Sequence, residues 1–304
     1  MSSNCVLITG ASGYIGNHVL NLLIEKKYEI HAISRIKKKD NIENHLFWHQ
    51  IDLLKSNQIG KLINTVKPKY LIHLAWKVGS GLNHESLEND YWLSTSKELI
   101  TSFYKYGGQR VLVSGTCAEY DWSYNYLTEN ETPLKPLNSY GEIKKKLYNY
   151  LSDYCTSKNY SFIWVRIFFS FGPDQNKNSL VPFVIKKLIN NQVVNTTEAQ
   201  QKFDYLYVED VASALVLSLE SGHIGAVNIA SGKATKLKRI ILQLANYLNK
   251  NELIKFGAVP YAKKTPMHLI GNNEILINKI GWKPKFTIEE GLLKTIKYYK
   301  KEFS

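Results

Sequence analysis

Thr9-Gly10-Ala11-Ser12-Gly13-Tyr14-Ile15-Gly16 is the stretch on which the reading of this chain turns. It has the form T-G-x-x-G-x-x-G. An apolar run, Cys5 to Thr9, precedes it, and it opens a segment, Gly13 to Glu25, in which Ile15, Val19, Leu22 and Leu23 recur at helical spacing. A glycine triplet alone is common, but between a strand and an amphipathic helix it has a mechanical meaning. Gly10 permits a tight turn, Gly13 lets backbone N–H groups approach a pyrophosphate, and Gly16 lets the helix pack close to the strand. The helix N-terminus adds the positive end of a dipole. The residues expected to touch a dinucleotide here are Gly10, Ser12, Gly13, Tyr14, Ile15 and Gly16.

Outward from this turn the chain alternates between strand and helix patterns. Strands are predicted at Tyr28–Ser34, Phe47–Ile51, Tyr70–Ala75, Arg110–Ser114 and Phe162–Phe169, and helices at Ser56–Val66, Asn89–Tyr106 and Ser139–Lys158. Nearly continuous apolar strands in such alternation mean a parallel sheet covered on both faces, an α/β, Rossmann-type doubly wound fold. Beyond Gly172-Pro173 the alternation loosens. Helices are predicted near 180–190, 209–219, 236–249 and 286–300, with short strands at 226–229 and 253–257. With neither an internal repeat nor a flexible linker, a smaller C-terminal α/β lobe is expected to pack on the first. The expected division is a dinucleotide-binding domain over 1–170, with 203–230 returning to it, and a second lobe from 171–202 and 231–304.

Composition narrows the class. The 304 residues are 44% hydrophobic and 21% charged, with mean hydropathy −0.26, enough to bury a sizeable core and too apolar for a disordered chain. No apolar run reaches the roughly 20 residues that span a bilayer, so no membrane contact is expected. The 3 cysteines, Cys5, Cys117 and Cys155, are odd in number and widely spaced, which argues against a disulfide framework and for a reduced, cytoplasmic setting. The net charge is +13. Its runs (Arg35–Lys39, Lys144–Lys146, Lys297–Lys301) are short and expected to sit in solvent. They lack interleaved aromatics or a recognition-helix pattern, so a small polyanionic ligand is expected before nucleic acid.

Two further segments bear on chemistry. The second strand ends Ile33-Ser34-Arg35, where binders of NAD carry an acidic residue for the ribose 2′-hydroxyl. Ser34 offers no anion and Arg35 can pair with a 2′-phosphate, which favours NADP(H), with NAD(H) as the alternative. Asp52-Leu53 follows the third strand, and Asp52 suits either the adenine amino group or a helix cap. Tyr140-Gly-Glu-Ile-Lys144 is Y-x-x-x-K at the start of a predicted helix, with both side chains on one face. The ammonium is expected to lower the phenol's pKa and ready Tyr140 for proton transfer. Thr116, just beyond the fifth strand, falls at the sheet's carboxyl edge, where open α/β sheets bind ligands.

With these pieces the chain resembles the extended short-chain dehydrogenase/reductases, in their nucleotide-sugar epimerase, dehydratase and 4-ketoreductase branch. The resemblance runs in order through the turn at 9–16, His73-Leu74-Ala75, Ser114-Gly-Thr-Cys-Ala-Glu-Tyr120, Tyr140/Lys144, Arg166 with Gly172-Pro173, Asp204-Tyr-Leu-Tyr-Val-Glu-Asp210, Asn228-Ile-Ala-Ser-Gly232 and Gly281-Trp-Lys-Pro284. It implies a catalytic triad of Thr116, Tyr140 and Lys144, cofactor contacts at Leu74 and Ala75, and a nucleotide-diphosphate sugar in the C-terminal lobe. It also implies a homodimer through the helices near 89–106 and 139–157. Departures narrow the reaction. Dehydratases of the branch follow the threonine with Asp-Glu, where this chain has Cys117-Ala118. The branch often has Asn at the position of Phe169 and Arg at that of Phe203. Both normally touch substrate, so phosphate contacts are expected to move to Lys202 or Lys187. The segment from Phe256 to His268 resembles reductases of 4-keto-6-deoxyhexose nucleotides.

The expected activity is therefore NADPH-dependent reduction of a keto group, at C4, on a nucleotide-activated deoxysugar. The enzymatic alternative is a 4-epimerase that retains NAD, and the non-catalytic one is a cofactor-sensing protein. No metal is expected, since His45 and His49 flank a strand segment and four residues of strand span about 13 Å. Cys117 is expected to line the pocket. Glu119 reads as a substrate acceptor or a solvated loop charge, and Tyr120, Trp122, Tyr124 and Tyr126 as a sugar wall or as loop packing.

Overall fold

A computed structural model describes residues 4–55, 58–77, 88–263 and 265–303. In chain order the strands and helices of its first half are β1 (Cys5–Thr9), α1 (Tyr14–Glu25), β2 (Glu29–Ser34), β3 (Leu46–Gln50), α2 (Ile59–Val66), β4 (Tyr70–His73), α3 (Glu88–Lys105), β5 (Arg110–Thr116), β6 (Tyr126–Leu127), α4 (Ser139–Lys158) and β7 (Ser161–Ile167). The second half has β8 (Phe169–Phe171), α5 (Leu180–Ile189), β9 (Val194–Asn195), β10 (Lys202–Tyr207), α6 (Val208–Glu220), β11 (Gly225–Ile229), β12 (Ala234–Lys236), α7 (Leu237–Leu248), β13 (Ile254–Lys255), β14 (His268–Gly271) and α8 (Ile288–Phe303). The predicted start of the second helix, Ser56, lies outside the described residues.

The larger sheet has seven strands in the order β11-β7-β5-β4-β1-β2-β3, every pairing parallel. It is the doubly wound sheet that the sequence predicts. The order reverses about β1, so its carboxyl end opens into a crevice between connections that leave on opposite faces. Apolar side chains fill both faces, with α1 and α6 over one and α2, α3 and α4 over the other. Burial of such strands on both sides explains why they read as unbroken apolar runs and not as alternating ones.

The second lobe departs from its sequence reading. Its helices fall close to their predicted positions, but its sheet was hardly visible. Five strands, β12-β10-β14-β6 with β8 on β10, form it, and most are only two to four residues long. The predicted strand Phe162–Phe169 divides in two: β7 ends at Ile167 in the large sheet and β8 begins at Phe169 in the small one. Phe168 between them donates its N–H to Ile229 O at 3.2 Å. Likewise β10 lies in the small sheet, and the chain returns to the large one through α6 and β11. Short strands carry too few residues for a period to emerge, so their pairing is fixed by tertiary contacts. Among the described residues no helix is long and apolar enough to cross a membrane.

Candidate active site

The carboxyl ends of β1, β2, β4 and β5 border a cavity of about 840 Å³, which reaches from the glycine turn to the start of α5. That size suits a cofactor and a small substrate together. The turn itself is built as the sequence requires. Gly10 has φ +74°, in the left-handed region, and a Cβ there would come within 2.7 Å of Ala75 N. A Cβ at Gly16 would overlap Gly10 O, so no larger residue lets α1 approach β1 as closely. Gly13 N–H donates back to Gly10 O at 2.9 Å, and no acidic residue neutralises the first turn of α1. Ser12, Tyr14, Ile15, Leu74 and Ala75 all line the cavity. These features fit a dinucleotide, whose pyrophosphate needs close backbone approach and a free helix N-terminus.

Ser34, Arg35, Asp52 and Leu53 line the far end of the same cavity. Ser34 is buried and its Oγ accepts Ile36 N–H at 3.2 Å, which leaves Arg35 exposed at the rim. Asp52 Oδ1 accepts the N–H of Leu54 at 3.2 Å, so it caps its own turn while facing the cavity.

Thr116 ends β5 and caps a short 3-10 turn, Cys117–Glu119. Its Oγ1 accepts Ala118 N–H at 3.2 Å, and its own N–H donates to Glu119 Oε1 at 2.8 Å. Opposite it, α4 begins at Asn138, whose Oδ1 accepts Gly141 N–H at 2.8 Å, a cap that contributes about 1 kcal/mol. A Cβ at Gly141 would overlap Ala118 O. This glycine lets the helix start against the 117–119 turn, and Tyr140 thereby reaches a hydrogen bond with Thr116. Lys144, one turn on, donates to Ser114 O at 2.8 Å. The three residues of the expected triad thus come together from β5 and α4.

Two electrostatic expectations change. Lys144 belongs to a run read as solvated, but it is 1% exposed, and burial lowers its pKa to about 7 against the opposing pull of Glu119. Tyr140 is held above its ordinary range, first by burial and then by the negative charges of Glu119 and Cys117, with the Thr116 hydrogen bond opposing. The ammonium does not lower it as the spacing suggested, because Lys144 Nζ lies 6.0 Å from the Tyr140 ring centroid and faces Ser114. The Thr116 hydrogen bond is the contact that favours the phenolate.

Several contributors went unread in the sequence. Glu119 is neither solvated nor a substrate acceptor. It is fully buried and takes Arg166 Nε at 2.8 Å, Trp164 Nε1 at 3.0 Å and the Thr116 N–H. Arg166 continues to Tyr120 OH at 3.1 Å, and Tyr120 OH donates to Asn228 Oδ1 at 2.7 Å. Tyr120 and Trp122, whose Nε1 donates to Cys117 O at 2.9 Å, are therefore packing residues. A carboxylate beside an arginine 47 positions away has no local sequence pattern. Thr9, His73 and Ser96 form a second buried chain, with Thr9 Oγ1 to His73 Nδ1 at 2.7 Å and His73 Nε2 to Ser96 Oγ at 2.8 Å. Burial, with the Lys144 charge adding, lowers His73 to about 3, so the imidazole stays neutral and ties β1, β4 and α3 below the cavity. Trp76 and Trp92 also line the cavity and stack at 5.7 Å between ring centroids.

Other expectations are corrected too. Cys117 is buried in the apolar cluster of the second lobe and is not among the cavity-lining residues; burial, then Glu119 and Asp204, push its thiol up to about 12. Phe169 and Phe203 stack face to face at 4.6 Å. Neither Lys187 nor Lys202 lines this cavity, and Lys202 stands in register with Lys236 and His268. His49 of β3 meets His31 of β2, Nε2 to Nδ1 at 2.8 Å, a contact absent from the sequence reading. His31 Nε2 in turn meets Glu29 at 3.3 Å, and ligand atoms of Cys5, Glu29 and His31 lie within 4.8 Å of one another. Burial raises the Cys5 thiol to about 12, and it hydrogen bonds Glu29. Within the cluster His31 bridges His49 and Glu29, and Glu29 also takes the Cys5 thiol.

Comparison with known proteins agrees with this geometry. CDP-abequose synthase of Salmonella muenchen is 26% identical, over 96% of this chain and 96% of its own. dTDP-4-dehydro-6-deoxyglucose reductase of Escherichia coli is 26% identical, over 97% of both chains. Among solved structures, UDP-glucose 4-epimerase of Thermotoga maritima, with UDP-glucose, superposes with a TM-score of 0.87 at 23% identity, covering 98% of this chain and 99% of that one. The profile of the NAD dependent epimerase/dehydratase family matches residues 6–230, from the first strand through β11. The chain belongs to that family of extended short-chain dehydrogenase/reductases, which are nucleotide-sugar-modifying NAD(P)-dependent oxidoreductases and epimerases.

Proposed function

We propose that this protein reduces a keto group, at C4, on a nucleotide-diphosphate deoxysugar, with NADPH as hydride donor. The observation that carries the reading is that Thr116 and Tyr140 line one cavity with the glycine turn, with Lys144 buried one helical turn on from Tyr140 and bonded to Ser114 O, beside a Cys117-Ala118 pair that offers no acid or base for eliminating water. Of two relatives matched along nearly their whole length, one is named for the synthesis of CDP-abequose and the other for the reduction of a dTDP-linked 4-dehydro-6-deoxy sugar. Arg35 at the rim, with the uncharged Ser34 beside it, supports the 2′-phosphate.

When bound, the reduced nicotinamide supplies a hydride to the sugar carbonyl carbon. The chain's own groups manage the proton and the developing charge. Tyr140 gives its phenolic proton to the carbonyl oxygen, and Thr116 hydrogen bonds the same oxygen and orients it. Lys144, one turn on from Tyr140 and bonded to Ser114 O, adds positive charge at longer range while it carries its proton. Leu74, Ala75 and the glycine turn hold the dinucleotide, the lobe of 171–202 and 231–304 holds the nucleotide sugar, and α3 and α4 pair two copies in a cytoplasmic homodimer.

The second reading is a 4-epimerase that retains NAD, favoured by the fold likeness to the Thermotoga maritima epimerase. The two separate on one preparation. The protein is denatured and any released dinucleotide identified, and the cofactor-free protein is titrated with NADPH and NADH and then offered 4-keto nucleotide sugars. Weak retention, NADPH preference and reduction that consumes one NADPH per product are expected. Stoichiometric NAD⁺ would establish the epimerase instead. Tyr140→Phe should abolish turnover and leave cofactor binding intact.

A further inference from the structure

The Lys144 ammonium has one neighbour that neither the family motif nor the spacing foretells. Trp76 follows Leu74-Ala75 immediately, and its ring lies 3.8 Å from Lys144 Nζ to the centroid. The indole is held there by rings. Trp92 from α3 stacks on it at an interplanar angle of 27°, and Tyr140 meets it edge-on with centroids 6.4 Å apart. Neither indole Nε1 finds an acceptor among the described protein atoms, so no hydrogen bond fixes Trp76 in place. Its face is committed to the cation.

We infer that Trp76 is a positioning residue for Lys144, seating the ammonium against its π-face and aiming it between the Ser114 carbonyl and Tyr140. The inference rests on the reading of Tyr140 and Lys144 as the proton-transfer pair. Lys144 is buried where an ammonium is disfavoured. His73 of β4 is neutral, the Glu119 carboxylate of the 3-10 turn is shared with Arg166, and Tyr140 on its own helix is un-ionised. Ser114 O of β5 takes one of its protons. The aromatic face joins Glu119 and Ser114 O in favouring the charged form, and such contacts are strongest when desolvated. An ammonium that lost its proton would neither support tyrosinate nor hold its direction.

The test follows the ¹³Cε signal of Lys144 in lysine-labelled, ligand-free protein, assigned by its loss in Lys144→Met. Trp76→Leu should lower the titration midpoint by about one pH unit, equivalent to about 1.4 kcal/mol, and Trp76→Phe by less than half of that. If Trp76→Leu does not fold, the protein is made with 5-fluoro- and 5,7-difluorotryptophan, which keep the ring's shape and drain its π-face. The midpoint should then fall stepwise, and should not move when the same analogues are built into Trp76→Phe. Leu and Phe variants shifted equally, or a midpoint indifferent to fluorination, would overturn the assignment. Turnover plays no part in this readout. If wild-type protein reduces no 4-keto nucleotide sugar while the midpoint tracks fluorination, the proposed function fails and the role of Trp76 stands. Where turnover is found, its loss toward high pH should begin about one unit earlier in Trp76→Leu, whereas a merely structural role would lower the rate at every pH alike.

Discussion

Arg166→Met is the substitution that best tests how the site is held. Arg166 and Glu119 are both essentially inaccessible to solvent, and their ion pair stands directly behind Thr116. Removing one partner of a buried pair costs about 3–5 kcal/mol, because the other charge is left uncompensated. The structure points to the lower end. Glu119 keeps two other donors, Thr116 N–H and Trp164 Nε1, and Arg166 Nη2 has no acceptor among the described atoms even in the intact pair. About 3 kcal/mol is the working figure. With a urea slope of about 3 kcal/mol/M, the top of the range for small domains, the unfolding midpoint should drop by about 1 M. Glu119→Gln alone should cost a similar amount by stranding the guanidinium. The double variant should recover at least about 2 kcal/mol of the summed loss, since the introduced amide oxygen can still accept from Thr116 N–H and no buried charge remains. The assay is equilibrium urea unfolding of the four proteins, read by fluorescence and circular dichroism. An Arg166→Met loss below about 1 kcal/mol, or a double variant additive within about 0.5 kcal/mol, would refute the claim that this pair is an interacting buried unit.

Other outcomes follow from separate features. Arg35→Ala should weaken NADPH at least about tenfold, a loss of roughly 1.4 kcal/mol, and NADH little; equal losses by fluorescence titration would remove the 2′-phosphate argument. Gly141→Ala should push the start of α4 away from Ala118 O, lowering kcat with little change in cofactor affinity, and retention of wild-type kcat would show that the close approach is dispensable. Lys144 carries its charge below about pH 7 and loses it above, so ketoreduction should decline as pH rises through that value. A rate that climbs steadily to pH 9 would contradict this. Asp204, raised to about 6 first by burial, binds its proton more readily folded than unfolded. Its contribution to stability should therefore increase as pH falls from about 6 to 4, an increment that a pH series of urea midpoints should show and Asp204→Asn should lose.

The nucleotide-binding half was legible because its signals are local. Gly10, Gly13 and Gly16 answer to backbone sterics within one turn, the strands are long apolar runs, and Tyr140 and Lys144 share a helix face by spacing alone. Thr116 could be placed because it ends a strand already recognised. What stayed hidden depends on contacts between distant positions. Glu119 looks like any loop acid until Arg166 and Trp164 are seen beside it, and Lys144 looks like the lysines that follow it until the sheet closes over it. The small sheet was missed for the same reason: β6, β8 and β12 contain two or three residues each, and their partners lie far along the chain.

The passage from one sheet to the other at Phe168 bears on how the molecule opens. A single residue joins β7 to β8, and its N–H is engaged by Ile229. The opposite side is laced as well, where Asp210 of α6 accepts the N–H groups of Lys285 and Phe286 and Trp282 Nε1 donates to Ser213. The two lobes are thus tied by hydrogen bonds on both sides. Separating the lobes would break these bonds on both sides at once, so any opening of the cleft costs more than bending a single linker would.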